Sequence, residues 1–156
     1  MNVASGLFEE HCSACHGINA QGQASLFPNL SDGVWQWGGS AQQIEQTLRN
    51  GRNAVMVSWL TALGGEAQLQ SLAEYVLGMS QGADSSHPGK LYYDRFCIAC
   101  HGPNGDGNAL LGAPRLNDDI WLYVEKSATS AKPSLKDAIA RCQLLQMSLM
   151  ISRLKC

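Results

Sequence analysis

No stretch of this chain approaches the roughly 18 consecutive apolar residues of a membrane-spanning helix. Its start, Met1-Asn-Val-Ala-Ser-Gly-Leu-Phe-Glu-Glu10, has neither a basic cluster nor an apolar core, so no export signal is visible there. Charged residues are scarce, at 15% of 156 positions, against about a quarter in ordinary domains. The formal net charge of −2 lacks the basic excess of a nucleic-acid binder. Two further absences are local: all 16 glycines lie at or before Gly112, and no aromatic residue follows Tyr123. Charge divides at the same place. Residues 1–123 carry 5 Lys and Arg against 11 Asp and Glu, and residues 124–156 carry 6 against 2. Apolar side chains, at 45%, are plentiful enough to exclude disorder throughout. The length fits one medium domain or two small ones.

Four of the six cysteines form two copies of one pattern, Cys12-Ser-Ala-Cys15-His16-Gly17 and Cys97-Ile-Ala-Cys100-His101-Gly102. Cys-x-x-Cys-His is the attachment signal for c-type haem. Two thiols at that spacing form thioethers to the two vinyl groups of one porphyrin, and the adjoining imidazole reaches the iron from the same side. A Cys₄ zinc site would leave both histidines unexplained. A thioredoxin-like thiol pair needs a βαβ context, and the chain shows no strand pattern.

The repeat extends beyond the motif. Cys12 and Cys97 are 85 positions apart; Gly22 to Leu30 matches Gly107 to Leu116, and Asp32-Gly-Val-Trp35 matches Asp118-Asp-Ile-Trp121. One residue is inserted in the second copy. The chain therefore reads as a tandem duplication of one all-α haem domain, with the first domain over 1–79, a small polar linker over 80–89, and a second domain opening at 90.

Within the first copy, a short helix over 4–15 presents the thiols, and residues 17–39, rich in Gly, Pro and Asn, form a loop. Ser40-Ala-Gln-Gln43 is a capping box opening a helix that runs to Asn50 and stops at Gly51. A last helix over 66–77 carries Leu69, Leu72, Ala73, Val76 and Leu77 at helical spacing. Met56, in the loop between these helices, is the candidate sixth iron ligand. Met79 lies beyond the last helix and is less able to return to the iron. Trp35, Trp37 and Trp59 fit a haem pocket or ordinary core packing equally well. His11 is expected to face solvent, and His87 is a linker residue.

After Tyr123 the resemblance between the copies ends. The position corresponding to Met56 is Cys142. A one-base deletion just after Tyr123 accounts for this. Read in the restored frame with permitted bases, Ala131 to Gln143 can encode K-T-I-A-E-G-R-N-R-Q-M-P, whose Thr, Gly, Arg, Asn and Met fall in register with the segment ending at Met56. The rival reading is a genuine basic helix over 134–155, with Ile139, Leu144, Leu145, Leu149 and Leu154 as its apolar residues. On the first reading residues 90–123 are the N-terminal part of the second domain, and 124–156 is an aberrant, out-of-frame tail.

Phe27-Pro-Asn-Leu-Ser-Asp-Gly-Val-Trp-Gln-Trp-Gly-Gly39 and Leu111-Gly-Ala-Pro-Arg-Leu-Asn-Asp-Asp-Ile-Trp-Leu-Tyr123 resemble the two class I cytochrome c domains of subunit III of cbb(3)-type cytochrome c oxidase. The resemblance implies a dihaem protein anchored in the bacterial inner membrane and facing the periplasm. It would take electrons from a cytochrome c and pass them towards the oxygen-reducing subunit, serving as a carrier within the oxidase and not as an enzyme by itself. Carried over by position, Cys12, Cys15, Cys97 and Cys100 bind two haems covalently, His16 and His101 are proximal iron ligands, and Met56 is distal. Backbone carbonyls in the loops holding Pro28 and Pro114 orient the proximal imidazoles. The chain departs from the family in having Val57 where proline usually follows the ligand methionine, in lacking the second distal methionine, and in lacking the N-terminal anchor, so it is expected to be a fragment. A soluble periplasmic dihaem cytochrome c and a dihaem peroxidase are the alternatives.

Overall fold

The computed structural model describes residues 3–23 and 26–121. Every regular element among them is helical, joined by loops that hold two isolated β-bridges. The elements are α1 (Val3–His11), α2 (Ser13–His16), α3 (Ala41–Asn50), α4 (Leu60–Leu63), α5 (Glu66–Gly78), a 3₁₀ turn (Met79–Gln81), α6 (Gly89–Phe96) and α7 (Ile98–His101). The tail segment beyond Tyr123, with Cys142 and the helix expected over 134–155, lies outside the described residues.

Local chemistry sets several boundaries. The Ser40 side chain accepts from the Gln43 amide and the Gln43 side chain from the Ser40 amide, so the capping box is formed in full. Gly51 closes α3 at a φ of 66°. Instead of one helix over 4–15, the chain breaks at Cys12, and it breaks again at Cys97, the first cysteine of the second motif. Each motif thereby becomes a single turn, set off from the helix before it.

The main packing crosses the repeat boundary. Helix α5, which closes the first copy, packs against α6, which opens the second, more extensively than any other two elements. Gly89 makes the approach possible, because a Cβ there would collide with the Ser71 carbonyl oxygen and lie 2.7 Å from Tyr75 Cβ. Tyr93, one turn further along α6, is fully buried. Its ring lies 5.6 Å from that of Tyr75, and its hydroxyl donates to the Gly102 carbonyl at 2.6 Å. Leu63, Leu69, Leu72, Tyr75 and Met79 join Tyr93 and Cys97 in one core, and Trp59 stacks on Phe96 with centroids 5.1 Å apart. The segment expected as a linker is itself folded. Asp84 accepts from the Ser86 amide at 2.8 Å, and His87 Nδ1 accepts from the Gly89 amide at 3.1 Å.

The first copy contrasts with this. Among the described residues before Leu63 none is buried, and α1 leaves a cavity of about 520 Å³ lined by Ala4, Ser5, Phe8, Glu9, Ile18, Asn19 and Ala20. Shifted by the 85-residue repeat, those positions become Gly89, Lys90, Tyr93, Asp94, Pro103, Asn104 and Gly105. There α5 covers Gly89 and Met79 covers Gly105.

Two expectations follow for the stability of this packing. Gly89→Val should force α5 and α6 apart and lower stability by about 1–3 kcal/mol, the usual range for overpacking, read as a fall in melting temperature. Burial raises the Tyr93 pKa from 10.0 to about 12. The unfolded chain therefore releases this proton first, and stability should fall as pH rises from 10 towards 12. In Tyr93→Phe that alkaline slope should flatten when unfolding is followed against pH.

Candidate functional site

Each motif turn is tied to a loop that follows it. His16 Nδ1 lies 3.0 Å from the Pro28 carbonyl oxygen, and His101 Nδ1 lies 2.9 Å from that of Pro114. A carbonyl can only accept, so Nδ1 carries a proton in both rings, and in the neutral form of such a ring Nε2 is the lone pair. That tautomer binds a metal through Nε2 while the backbone fixes the ring's orientation.

The loops that bring the prolines into place repeat bond for bond. Gly22 N donates to His16 O at 2.7 Å and Gly107 N to His101 O at 2.9 Å. Leu30 N donates to Ala20 O and Leu116 N to Gly105 O, both at 2.8 Å. The bridges Gln23–Phe27 and Asn108–Ala113 pinch the two loops at corresponding places. Gly22 (φ 74°) and Gly107 (φ 77°) are required here. A Cβ at Gly22 would lie 2.6 Å from Phe27 O, and one at Gly107 2.7 Å from Ala113 O.

The two copies differ in surroundings. Cys97 and His101 are buried, whereas Cys12, Cys15 and His16 are only partly covered and Cys100 is exposed. Burial holds the His101 pKa below 6.5, against the opposing pull of the Pro114 carbonyl, so the ring is neutral at neutral pH. The Phe27 ring meets that of His16 edge-on at 5.9 Å.

Met56 lies partly covered in the irregular stretch between α3 and α4, flanked by exposed Val55 and Val57. Met79 is buried, with its methyl and sulfur beside Gly105 on the second copy's loop. His87 is occupied by Gly89, by the Tyr75 ring at 6.0 Å and by Glu74 at 3.9 Å. His11 is exposed. Trp35 donates to Asp32 O at 3.1 Å. Trp37 carries the Arg52 guanidinium over its ring, 5.1 Å from the centroid. Among the described residues no three His, Cys, Asp or Glu side chains gather around a point that could hold a bare metal ion. The donor set in each copy, two thiols and an oriented imidazole within one turn, fits a porphyrin that brings its own four nitrogens to the iron. Sequence reasoning missed the contact of Trp37 with the second copy and the burial of Met79, since periodicity identifies a buried face but not its partner.

The family described as cytochrome c oxidase, cbb3-type, subunit III matches residues 2–76, and the family described as cytochrome c matches residues 86–146. The second match runs past Tyr123 into the segment that sequence analysis sets apart. The cbb3-type cytochrome c oxidase subunit FixP of Bradyrhizobium sp. (strain ORS 278) is 41% identical over 137 residues, covering 79% of this chain and 47% of that protein. The subunit CcoP of Rubrivivax gelatinosus is 36% identical over 125 residues, covering 79% and 41%. That of Azospirillum brasilense is 38% identical over 142 residues, covering 78% and 48%. The chain thus spans a little under half the length of these relatives. With its duplicated motif turns and proline loops, and over about four fifths of its residues, the chain resembles subunit III of the cbb3-type cytochrome c oxidases.

Proposed function

We propose that this chain is the electron-carrying part of such a subunit, holding two covalently attached c-type haems and passing electrons one at a time. The carrying observation is that both motif imidazoles are pinned through Nδ1 to a proline carbonyl, at 3.0 and 2.9 Å. Cys12 and Cys15 hold the first haem and Cys97 and Cys100 the second, with His16 and His101 as proximal ligands oriented by Pro28 and Pro114. Met56 is the distal ligand of the first. Bound there, haem supplies a one-electron couple, and His/Met ligation favours its ferrous form. The residues do the rest: fixed rings limit reorganisation, and the apolar side chains around the second motif exclude water.

The first domain spans residues 1–79, and the second opens at 90 after the segment 80–89. On this reading the chain works at the periplasmic face of the inner membrane, taking electrons from a cytochrome c for the other subunits of a terminal oxidase. By itself it catalyses no reaction. Residues 124–156 are read as out of frame, which nucleotide sequence across the Tyr123 codon tests directly.

Three measurements on the exported, haem-loaded chain check the ligands and their support. Met56→Ala should turn the first haem high-spin and remove the sulfur-to-iron charge-transfer band; a band that survives excludes Met56. Because Cys142 stands where the second methionine would be, carbon monoxide should bind the second haem readily and the first not at all. Two low-spin haems that both refuse it would show that the tail supplies a ligand. Gly107→Ala should cost about 1–3 kcal/mol through its forced φ and the displaced Pro114 loop, while Gly6→Ala, which meets nothing within 4 Å, should cost nothing. Thermal melts of the two variants make the comparison.

A further inference from the structure

We propose that Trp37 is a positioning residue that locks the two haem-binding segments against one another and so governs electron exchange between them; this rests on the dihaem reading above. Trp37 belongs to the loop between α2 and α3 of the first copy, yet its six-membered ring rests on Gly112 of the second. A Cβ at Gly112 would collide with Trp37 Cη2 and Cζ2, and Gly112 has a φ of 66°. The neighbouring Gln36 donates from Nε2 to the Gly112 carbonyl at 2.6 Å.

Both ends of this contact are anchored. Arg52, stacked over the Trp37 ring, is held by Thr47 Oγ1 at 3.0 Å, Gln43 O at 3.1 Å and Gln46 Oε1 at 3.3 Å, and so is fixed to α3. On the other side, Gly112 is buried in the loop pinched by the Asn108–Ala113 bridge, two residues before the Pro114 carbonyl that holds His101. A continuous series of contacts therefore runs from Arg52, four residues before Met56, through Trp37 to the support of the second imidazole. Surface cover alone would not need a glycine on one side and a triply anchored arginine on the other. The exchange that this arrangement serves moves one electron: one iron goes from ferrous to ferric as the other goes from ferric to ferrous. No bond is made, no proton moves, and no further reactant is needed.

The test uses the full chain, exported and loaded with haem, as wild type, Trp37→Ala, Trp37→Phe and Gln36→Ala. Haem content is read from the pyridine haemochrome, exchange from the redistribution of an electron between the haems after flavin photoreduction, and the contact itself from amide hydrogen exchange over residues 108–113. In Trp37→Ala, with two haems retained, redistribution should slow by about tenfold or more, since small misplacements cost rates steeply. Exchange over 108–113 should quicken. Trp37→Phe, which keeps a ring on Gly112, should recover most of both. Should Trp37→Ala fail to hold haem, Gln36→Ala, which removes only the bond to the Gly112 carbonyl, should show the same two changes in smaller measure. Two haems with unchanged redistribution and unchanged amide exchange in Trp37→Ala, or in Gln36→Ala where Trp37→Ala fails to hold haem, overturn the proposal alone. Fewer than two haems in the wild type overturn the dihaem reading and the proposal with it.

Discussion

The hydrogen bond from a motif imidazole to a proline carbonyl twelve or thirteen residues later is the constraint around which each copy is built. It ties a single helical turn to the far end of its loop, fixes the tautomer, and points the free nitrogen away from the backbone. Its geometry demands a tight loop, and the tight loop demands glycine at 22 and 107, where any side chain would strike the carbonyl just before the proline. The ladder of Gly22 to His16 and Leu30 to Ala20, with its counterpart in the second copy, follows from that closure. The insertion of one residue leaves the ladder unchanged; it lengthens the stretch from Gly107 to Pro114 by one while the bonds at both ends are kept.

Around this shared core the two copies diverge through one helix. The structure leaves a groove open on α1, whereas α5 packs against α6, the corresponding helix of the second copy. A glycine at 89, where α1 has Ala4, admits the α5 backbone more closely, and Tyr93, where α1 has Phe8, adds a hydroxyl that bonds Gly102. Both differences favour the helix that is covered. The consequence reaches the site. Cys97 and His101 become buried while Cys12 and His16 stay partly exposed, so the same five-residue motif sits in two dielectric environments. Burial and dielectric are among the levers a protein has on a haem potential, and on the proposed dihaem reading they act unequally on two motif turns whose imidazoles are held alike.

Much of this was legible in the residues. The paired Cys-x-x-Cys-His motifs, the Ser40–Gln43 capping box and the matching of Pro28–Trp35 with Pro114–Trp121 are local patterns whose meaning depends on spacing alone. The face of α5 was legible too, since Leu69, Leu72 and Ala73 recur at helical period and are buried. Its partner was not: the period says which side of a helix seeks cover, and here the cover comes from across the repeat. The break at Cys12 was hidden for a different reason. Nothing in Glu-His-Cys-Ser-Ala-Cys stops a helix; the motif turn is set apart by the loop that pulls on His16. The tryptophans could be assigned to pocket or core only once neighbours were known. Trp59 then falls on Phe96, and Trp37 on Gly112.

Contacts now cross from one copy to the other in two groups at separate places in the chain, α5 with Trp59 and Met79 on α6, Phe96 and Gly105, and Trp37 with Gln36 on Gly112. One contact between two bodies leaves rotation about it nearly free; a second removes most of that freedom. The turn through residues 79–89 adds a third restraint, because Asp84, Ser86 and His87 spend their polar groups on its own backbone and on one another. A polar segment of this length would act as a loose tether if nothing else joined its ends. With both flanks pinned, it is the closing turn of a helical hairpin. On the proposed dihaem reading, a chain built this way holds the separation of its two electron carriers in its fold.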